Sequence, residues 1–195
     1  MRFALTKDHL DFYFKHHYLE LEGLLTEEEC LALCKETLPA NGYDCWRKSP
    51  LFKKVTLSPR IASIASELTK TRSLRLAFDQ LFLPDQPPLY KKPLAIKEIS
   101  SVQPTLSGLL IQLSPQDEPF EPLPLKVGSG RFFSPNLPLP LDDVRAAPST
   151  QLLIVYAREL SLYTPTPTDP HTHALKKQGY VFGDRVRSTT HPILH

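Results

Sequence analysis

Apolar and polar positions change period about a third of the way along the chain. Before residue 70 the spacing is helical. Leu10 and Phe14 recur on one side of residues 6–16, and Ile61, Ile64, Ala65 and Leu68 form the apolar face of a helix opened by Ser58-Pro59. Serine there can cap the first turn, and proline at the first helical position gives up an N–H that would be unpaired anyway. Thr26 and Glu29 have capping-box spacing, in which each side chain satisfies the other's backbone N–H. The helix that follows is expected to bury Cys30, Leu31, Leu33 and Cys34 and to stop near Pro39. Residues 18–22 alternate like a strand, Gly23 permits a turn, and residues 41–52 read as an irregular connection.

Past Thr71 the period shortens to two. Leu74, Leu76 and Phe78 alternate with Arg75, Ala77 and Asp79, the pattern of a strand with one buried face. Further strands are expected at residues 94–99, 109–113, 123–127, 131–133 and 151–163, with residues 152–156 lying centrally. Most connections are too short for helical crossovers, so the pairing should be antiparallel. Near the end Asp169 and Pro170 suit the cap and first position of a helix, Lys176 and Lys177 suit its last turn, and Gly179 suits a left-handed stop. The chain therefore reads as one α+β domain over residues 1–195, with a mainly helical part, 1–70, packed on a β-rich part, 71–165.

Composition removes several functions. Hydrophobic residues make up 41% and charged residues 23%, ordinary for a globular protein. A formal charge of +2 is too small to imply nucleic acid, and Lys91-Lys92 with Lys97 form no dense basic stripe. No apolar run approaches the roughly 18–20 residues of a membrane span. Asp8, His9 and Asp11 stand where a secretory signal would be apolar, so a cytoplasmic location is expected. The 3 cysteines form no CxxC pair, and Cys30 with Cys34 on one helix face reads as thiol packing. Of the 20 prolines, 16 fall between residues 84 and 170, where they punctuate apolar segments as short strands alternate with turns. Nucleophile-elbow, Walker and dinucleotide-binding sequences are absent.

Three stretches carry a family resemblance. Phe14-Lys15-His16-His17-Tyr18-Leu19-Glu20-Leu21-Glu22-Gly23-Leu24-Leu25-Thr26 runs from helix to strand, glycine turn and capped helix. Gly128-Ser129-Gly130-Arg131-Phe132-Phe133 is a turn-to-strand step, and the segment from Leu175 closes on Gly179-Tyr180-Val181-Phe182-Gly183-Asp184. Together they resemble the phytanoyl-CoA dioxygenase-like group of Fe(II)/2-oxoglutarate oxygenases. The resemblance implies a mainly antiparallel double-stranded β-helix (jelly-roll, cupin-like) with the N-terminal helices packed on it. It also implies iron held by a His-x-Asp/Glu pair and a distal His, with 2-oxoglutarate anchored by an Arg or Lys near the distal strand.

That chemistry is missing from the middle of this chain. The one literal His-x-Asp, His9-Leu10-Asp11, falls in the first helix, and no histidine occurs between His17 and His171. The usual triad cannot be drawn from the core strands. Asp79, Asp142 and Asp143 are the carboxylates left to bind a hard cation, with surface solvation the expected role of each. Asp169, His171, His173 and His191 form an alternative metal set if loops bring them together, although His171 and His173 do not share the i,i+4 face of a helix. Arg145 and Arg158 echo the family's oxoacid arginine and are the ligand-binding candidates. Trp46, Phe132 and Phe133 could form an aromatic rim, with plain core packing the expected role of either Phe.

The reading is an oxygenase-derived domain without the iron triad, a pseudoenzyme without cofactor that binds a small molecule or a protein. The alternatives are a divergent Fe(II)/2-oxoglutarate-dependent oxygenase using carboxylates or the terminal histidines, and a structural or protein-interaction protein.

Overall fold

The computed structural model describes residues 4–36, 42–116, 122–124, 126–169 and 172–194. Helices α1 (Lys7–His16), α2 (Glu27–Cys34), α3 (Pro50–Thr56) and α4 (Pro59–Thr69) precede most of the sheet, with β1 (Tyr18–Leu21) between the first two. Strands β2 (Leu74–Phe82), β3 (Leu94–Ala95), β4 (Val102–Gln112), β5 (Gly130–Phe133) and β6 (Pro138–Leu139) follow. Helix α5 (Leu141–Ala146), β7 (Gln151–Tyr163), α6 (Thr172–Lys177) and β8 (Ile193–Leu194) complete the order.

Among the described residues, six strands form an antiparallel sheet in the order β1-β5-β4-β7-β2-β8, and β3 pairs with β6 in a second, two-stranded sheet. Strand β7, the expected central strand, lies between β4 and β2. Side chains alternate across a strand, so the sheet separates two apolar layers. Leu76, Leu109, Ile111, Leu152, Ile154 and Tyr156 face the helices and pack on Leu33, Phe52, Ile61, Ile64 and Leu68. Phe78, Phe82, Leu110, Leu153 and Val155 face the other way, into an interior covered by β3–β6, α5 and the segment after β7.

Local devices match the sequence in several places. Thr26 and Glu29 form the capping box, with Glu29 N 3.2 Å from Thr26 Oγ1 and Thr26 N 3.2 Å from Glu29 Oε2. Ser58 caps α4 with proline following it. Gly179 has φ +86°, and Tyr180 N donates to Leu175 O at 3.2 Å, closing α6. Gly128 has φ +77°, and a Cβ there would lie 2.2 Å from Leu25 O. That close approach lets Leu25 N donate to Gly128 O at 3.0 Å, tying the helical layer to the start of β5.

Other expectations change. Residues 41–52 contain the start of α3: Ser49 Oγ accepts from Leu51 N at 3.1 Å, and Pro50 follows, repeating the Ser58-Pro59 device. The strand expected at 123–127 is absent from its described residues; Leu123 is buried in the interior layer instead. Residues 94–99 pair only through β3 before a 3-10 turn, Ile96–Glu98. Leu31 is exposed because the short α2 turns Cys30 and Leu33 inward, and Cys34 is exposed as well. Pro39 and Pro170 lie outside the described residues. Helix α6 is described from Thr172, and the carboxylate of Asp169, expected at a helix cap, instead accepts from Ser101 N just before β4.

Candidate functional site

The site assembles on the interior face of β2, around Phe78. Helix α6 and the segment leading to β8 close over this face, and Arg75 on β2 anchors the latter. Its Nε donates to Glu159 O at 2.9 Å and its Nη1 to His191 O at 2.5 Å, while Leu76 N donates to Pro192 O at 3.0 Å. The Gly-Tyr-x-x-Gly-Asp stretch is the clip that positions the lid. Gly183 N donates to Tyr163 O at 2.9 Å, Tyr163 N to Asp184 O at 2.8 Å, and Val181 N to Asp184 Oδ2 at 2.9 Å. The Tyr180 hydroxyl sits 2.6 Å from Thr190 Oγ1 and accepts from Arg187 N at 3.0 Å.

Under this lid lies a cavity of about 20 Å³ whose lining includes Asp44, Phe78, Ser100, Asp169, Gln178 and His191. A volume of that order accommodates one water. Asp169 and His191, two members of the alternative metal set, both line this cavity. Asp169 is buried and accepts from Ser101 N at 2.6 Å. His191 is buried, its Nδ1 3.0 Å from Thr190 Oγ1 and its ring edge-on to Tyr180. Of the other two members, His171 lies outside the described residues, as does the side chain of His173 in α6.

Next to the cavity, the hydroxyls of Tyr43 and Tyr90 lie 3.2 Å apart. Burial raises the Tyr43 phenol well above its ordinary value, and neighbouring Tyr90 and Asp169 add to this. Burial raises Tyr90 too. Both hydroxyls therefore stay protonated and offer hydrogen bonds rather than base chemistry. Arg145, on α5, is half-exposed beside this pair, and its positive charge favours ionisation of both phenols. Its Nε donates to Pro87 O at 2.9 Å. Arg158 is elsewhere. It follows Ile154 and Tyr156 on the helix-facing side of β7, opposite Leu74, and is exposed.

The carboxylates expected at the surface behave differently. Asp79 is fully buried against the helical layer, accepting from Trp46 N at 3.0 Å and Thr56 Oγ1 at 2.9 Å. Burial pushes its carboxyl up to about 7, and nearby Asp44 adds to this. Asp142 holds the loop before β3, accepting from Leu89 N at 2.5 Å, Tyr90 N at 2.9 Å and Lys91 N at 2.5 Å. Partial burial opposes ionisation of Asp142, but these three N–H groups outweigh it and hold the carboxyl below its ordinary value. Asp143 is exposed as expected. His9 serves α1 as a cap, its Nδ1 3.2 Å from Thr6 N, so the literal His-x-Asp is spent on a helix end. Phe132 and Phe133 are buried core side chains and Trp46 packs with the helical layer, so the three form no rim.

Iron and 2-oxoglutarate do not fit the described donors. The interior positions of the central strands are Phe78, Gln80 and Phe82 on β2, Leu110 and Gln112 on β4, and Gln151, Leu153 and Val155 on β7. None is an imidazole or a carboxylate, the ligands of a facial triad. Among the described residues, no group of three His, Cys, Asp or Glu side chains is placed to hold a metal. No described helix is long and apolar enough to cross a membrane. The tyrosine pair and the interior glutamines escaped sequence reasoning. For the glutamines a signal existed: polar residues stand where the two-residue period calls for apolar ones.

No family model matches the chain, and no curated protein sequence matches it. Solved structures do. The non-heme alpha ketoglutarate dependent carbocyclase SnoK from nogalamycin biosynthesis superposes with a TM-score of 0.71 at 16% identity, covering 98% of this chain and 97% of that one. The epimerase SnoN of the same biosynthesis, also non-heme and alpha ketoglutarate dependent, gives 0.70 at 17%, covering 97% and 95%. CT296 from Chlamydia trachomatis gives 0.55 at 23%, covering 80% of this chain and 98% of that one. At these identities the likeness is one of fold.

Proposed function

We propose, for a chain that has the double-stranded β-helix fold of phytanoyl-CoA dioxygenase-like oxygenases without a metal-ligand cluster among its described residues, that its function is non-catalytic binding of a small anionic ligand at the rim beside Arg145. One observation carries this reading. Arg145 stands half-exposed at the edge of the interior, and among the described residues its guanidinium donates from Nε alone, to Pro87 O, so both Nη groups remain for a carboxylate or phosphate. The Tyr43–Tyr90 hydroxyl pair behind it supplies neutral hydrogen bonds, which orient a ligand without transferring a proton to or from it. A cavity of about 20 Å³ is far below the roughly 300 Å³ at which organic-ligand pockets begin, so the ligand sits at the rim rather than under the lid. Arg158, on the opposite face of the sheet, has no part in this reading. Cytoplasmic location belongs to the same proposal and is supported by three cysteines that are all free thiols.

Two measurements test it. Anaerobic calorimetry of metal-stripped protein with Fe(II), with and without 2-oxoglutarate, is expected to give no stoichiometric heat. One-to-one iron uptake that creates a 2-oxoglutarate site would overturn the non-catalytic reading in favour of a divergent oxygenase. Thermal shift with a panel of small carboxylates and phosphates is expected to find an anion that stabilises the wild type and not Arg145→Met. If none does, the small-ligand reading falls and a protein partner replaces it.

A further inference from the structure

Three glutamines lie side by side on the interior face of the sheet, and all are fully buried. Gln112 on β4 and Gln151 on β7 are directly opposite each other, while Gln80 on β2 faces Leu153 and so stands diagonal to Gln151. Direct cross-strand neighbours touch, and diagonal ones come within reach of long side chains. The three amides thus share one patch among Phe78, Phe82 and Leu110.

Their hydrogen bonding is one-sided. Gln112 Nε2 donates to Ser114 O at 2.7 Å, and Gln151 Nε2 donates to Ser149 Oγ at 2.5 Å. Exchanging O and N in Gln112 would set two carbonyl oxygens against each other, so the assignment is forced by chemistry. Among the described residues, Oε1 of Gln80, Gln112 and Gln151 nevertheless accepts no hydrogen bond, and Gln80 Nε2 makes none. Buried amide oxygens left in this condition are costly, and a cluster of them points to an occupant.

The chemistry of that occupant follows from the acceptors. One water donates two hydrogens and cannot serve three carbonyl oxygens at once. Carbonyl oxygens in a ring replace the hydration shell of an alkali cation, and amide oxygens are hard-cation ligands. A divalent ion would call for carboxylates, and the nearest one in sequence, Asp79, faces the helices on the other side of β2. We propose that Gln80, Gln112 and Gln151 form a structural site for a small monovalent cation, entered from the half-exposed end of the sheet at Ser114 and Gln116. This inference is independent of the Arg145 rim and of any anionic ligand.

The test uses the whole chain. Melting temperature is measured in sodium, potassium and tetramethylammonium chloride at one ionic strength. Sodium or potassium is expected to raise it saturably by a few degrees over tetramethylammonium, through preferential binding to the folded state. The rise should vanish in Gln151→Leu and in Gln112→Leu. A crystal soaked in rubidium chloride should give an anomalous peak between the three amides. Equal melting in all three salts overturns the proposal. So does a map in which ordered water alone, or amide-to-amide hydrogen bonding, satisfies the three oxygens.

Discussion

At the scale of single residues, Asp79 and Gly128 carry the most constrained chemistry. Asp79 is a carboxylic acid between the sheet and the helices, raised by burial from 3.8 to about 7. A group whose folded pKa lies above its unfolded value binds more protons in the folded state. Its contribution is therefore full at low pH and is lost as pH rises from about 4 through 7. The shift corresponds to something on the order of 4 kcal/mol. Asp79→Asn should remove this dependence: urea midpoints of variant and wild type should diverge in the variant's favour between pH 5 and pH 8. A gap that stays constant with pH would contradict the buried acid. Gly128→Ala should cost about 2 kcal/mol or more, because a left-handed backbone and a Cβ 2.2 Å from Leu25 O are both disallowed. Gly179→Ala, left-handed but in open space, should cost only about 1 kcal/mol in the same denaturation assay. The need for glycine at 179 was visible beside a lysine-rich helix end. The need at 128 was not, since it arises from a strand meeting a helix layer a hundred positions away.

At the scale of elements, the capped helices were legible because a cap is a local bargain between residues three apart. Thr26 with Glu29, and Ser58 with Pro59, needed no tertiary partner to be recognised. Ser49-Pro50 carries the same signal but was hidden inside a stretch whose apolar spacing is irregular. The terminal Gly-Tyr-x-x-Gly-Asp motif is a different case: recognisable as a pattern, it acts here as a clip on the end of β7. Tyr180→Phe removes the hydroxyl that binds Thr190 Oγ1 and Arg187 N, and should cost about 1–3 kcal/mol. Hydrogen exchange should show the loss as faster opening of the segment from Val181 to Leu194, with β4 and β7 unchanged. Uniform loss of protection across the sheet would mean the clip is not a separable element.

At the scale of the whole molecule, one antiparallel sheet serves two layers, and the single-domain reading predicts that both melt together. Trp46, the chain's one tryptophan, reports the helical layer, while far-ultraviolet circular dichroism reports the entire backbone. The two urea transitions should coincide, and separated midpoints would divide the chain into independently folding parts. What the sequence by itself determined was whatever depends on spacing: the helical period before residue 70, the two-residue period after it, the antiparallel pairing, and the lack of histidine in every core strand. Tertiary structure decided which of those positions meet. It drew Asp169 and His191 to one cavity, put Arg145 beside the tyrosine pair and Arg158 on the opposite face, and buried Asp79, which an alternating pattern presents as solvent-facing. The reason is physical. Periodicity specifies two faces of a strand, but only the layers packed against them decide whether either face reaches water.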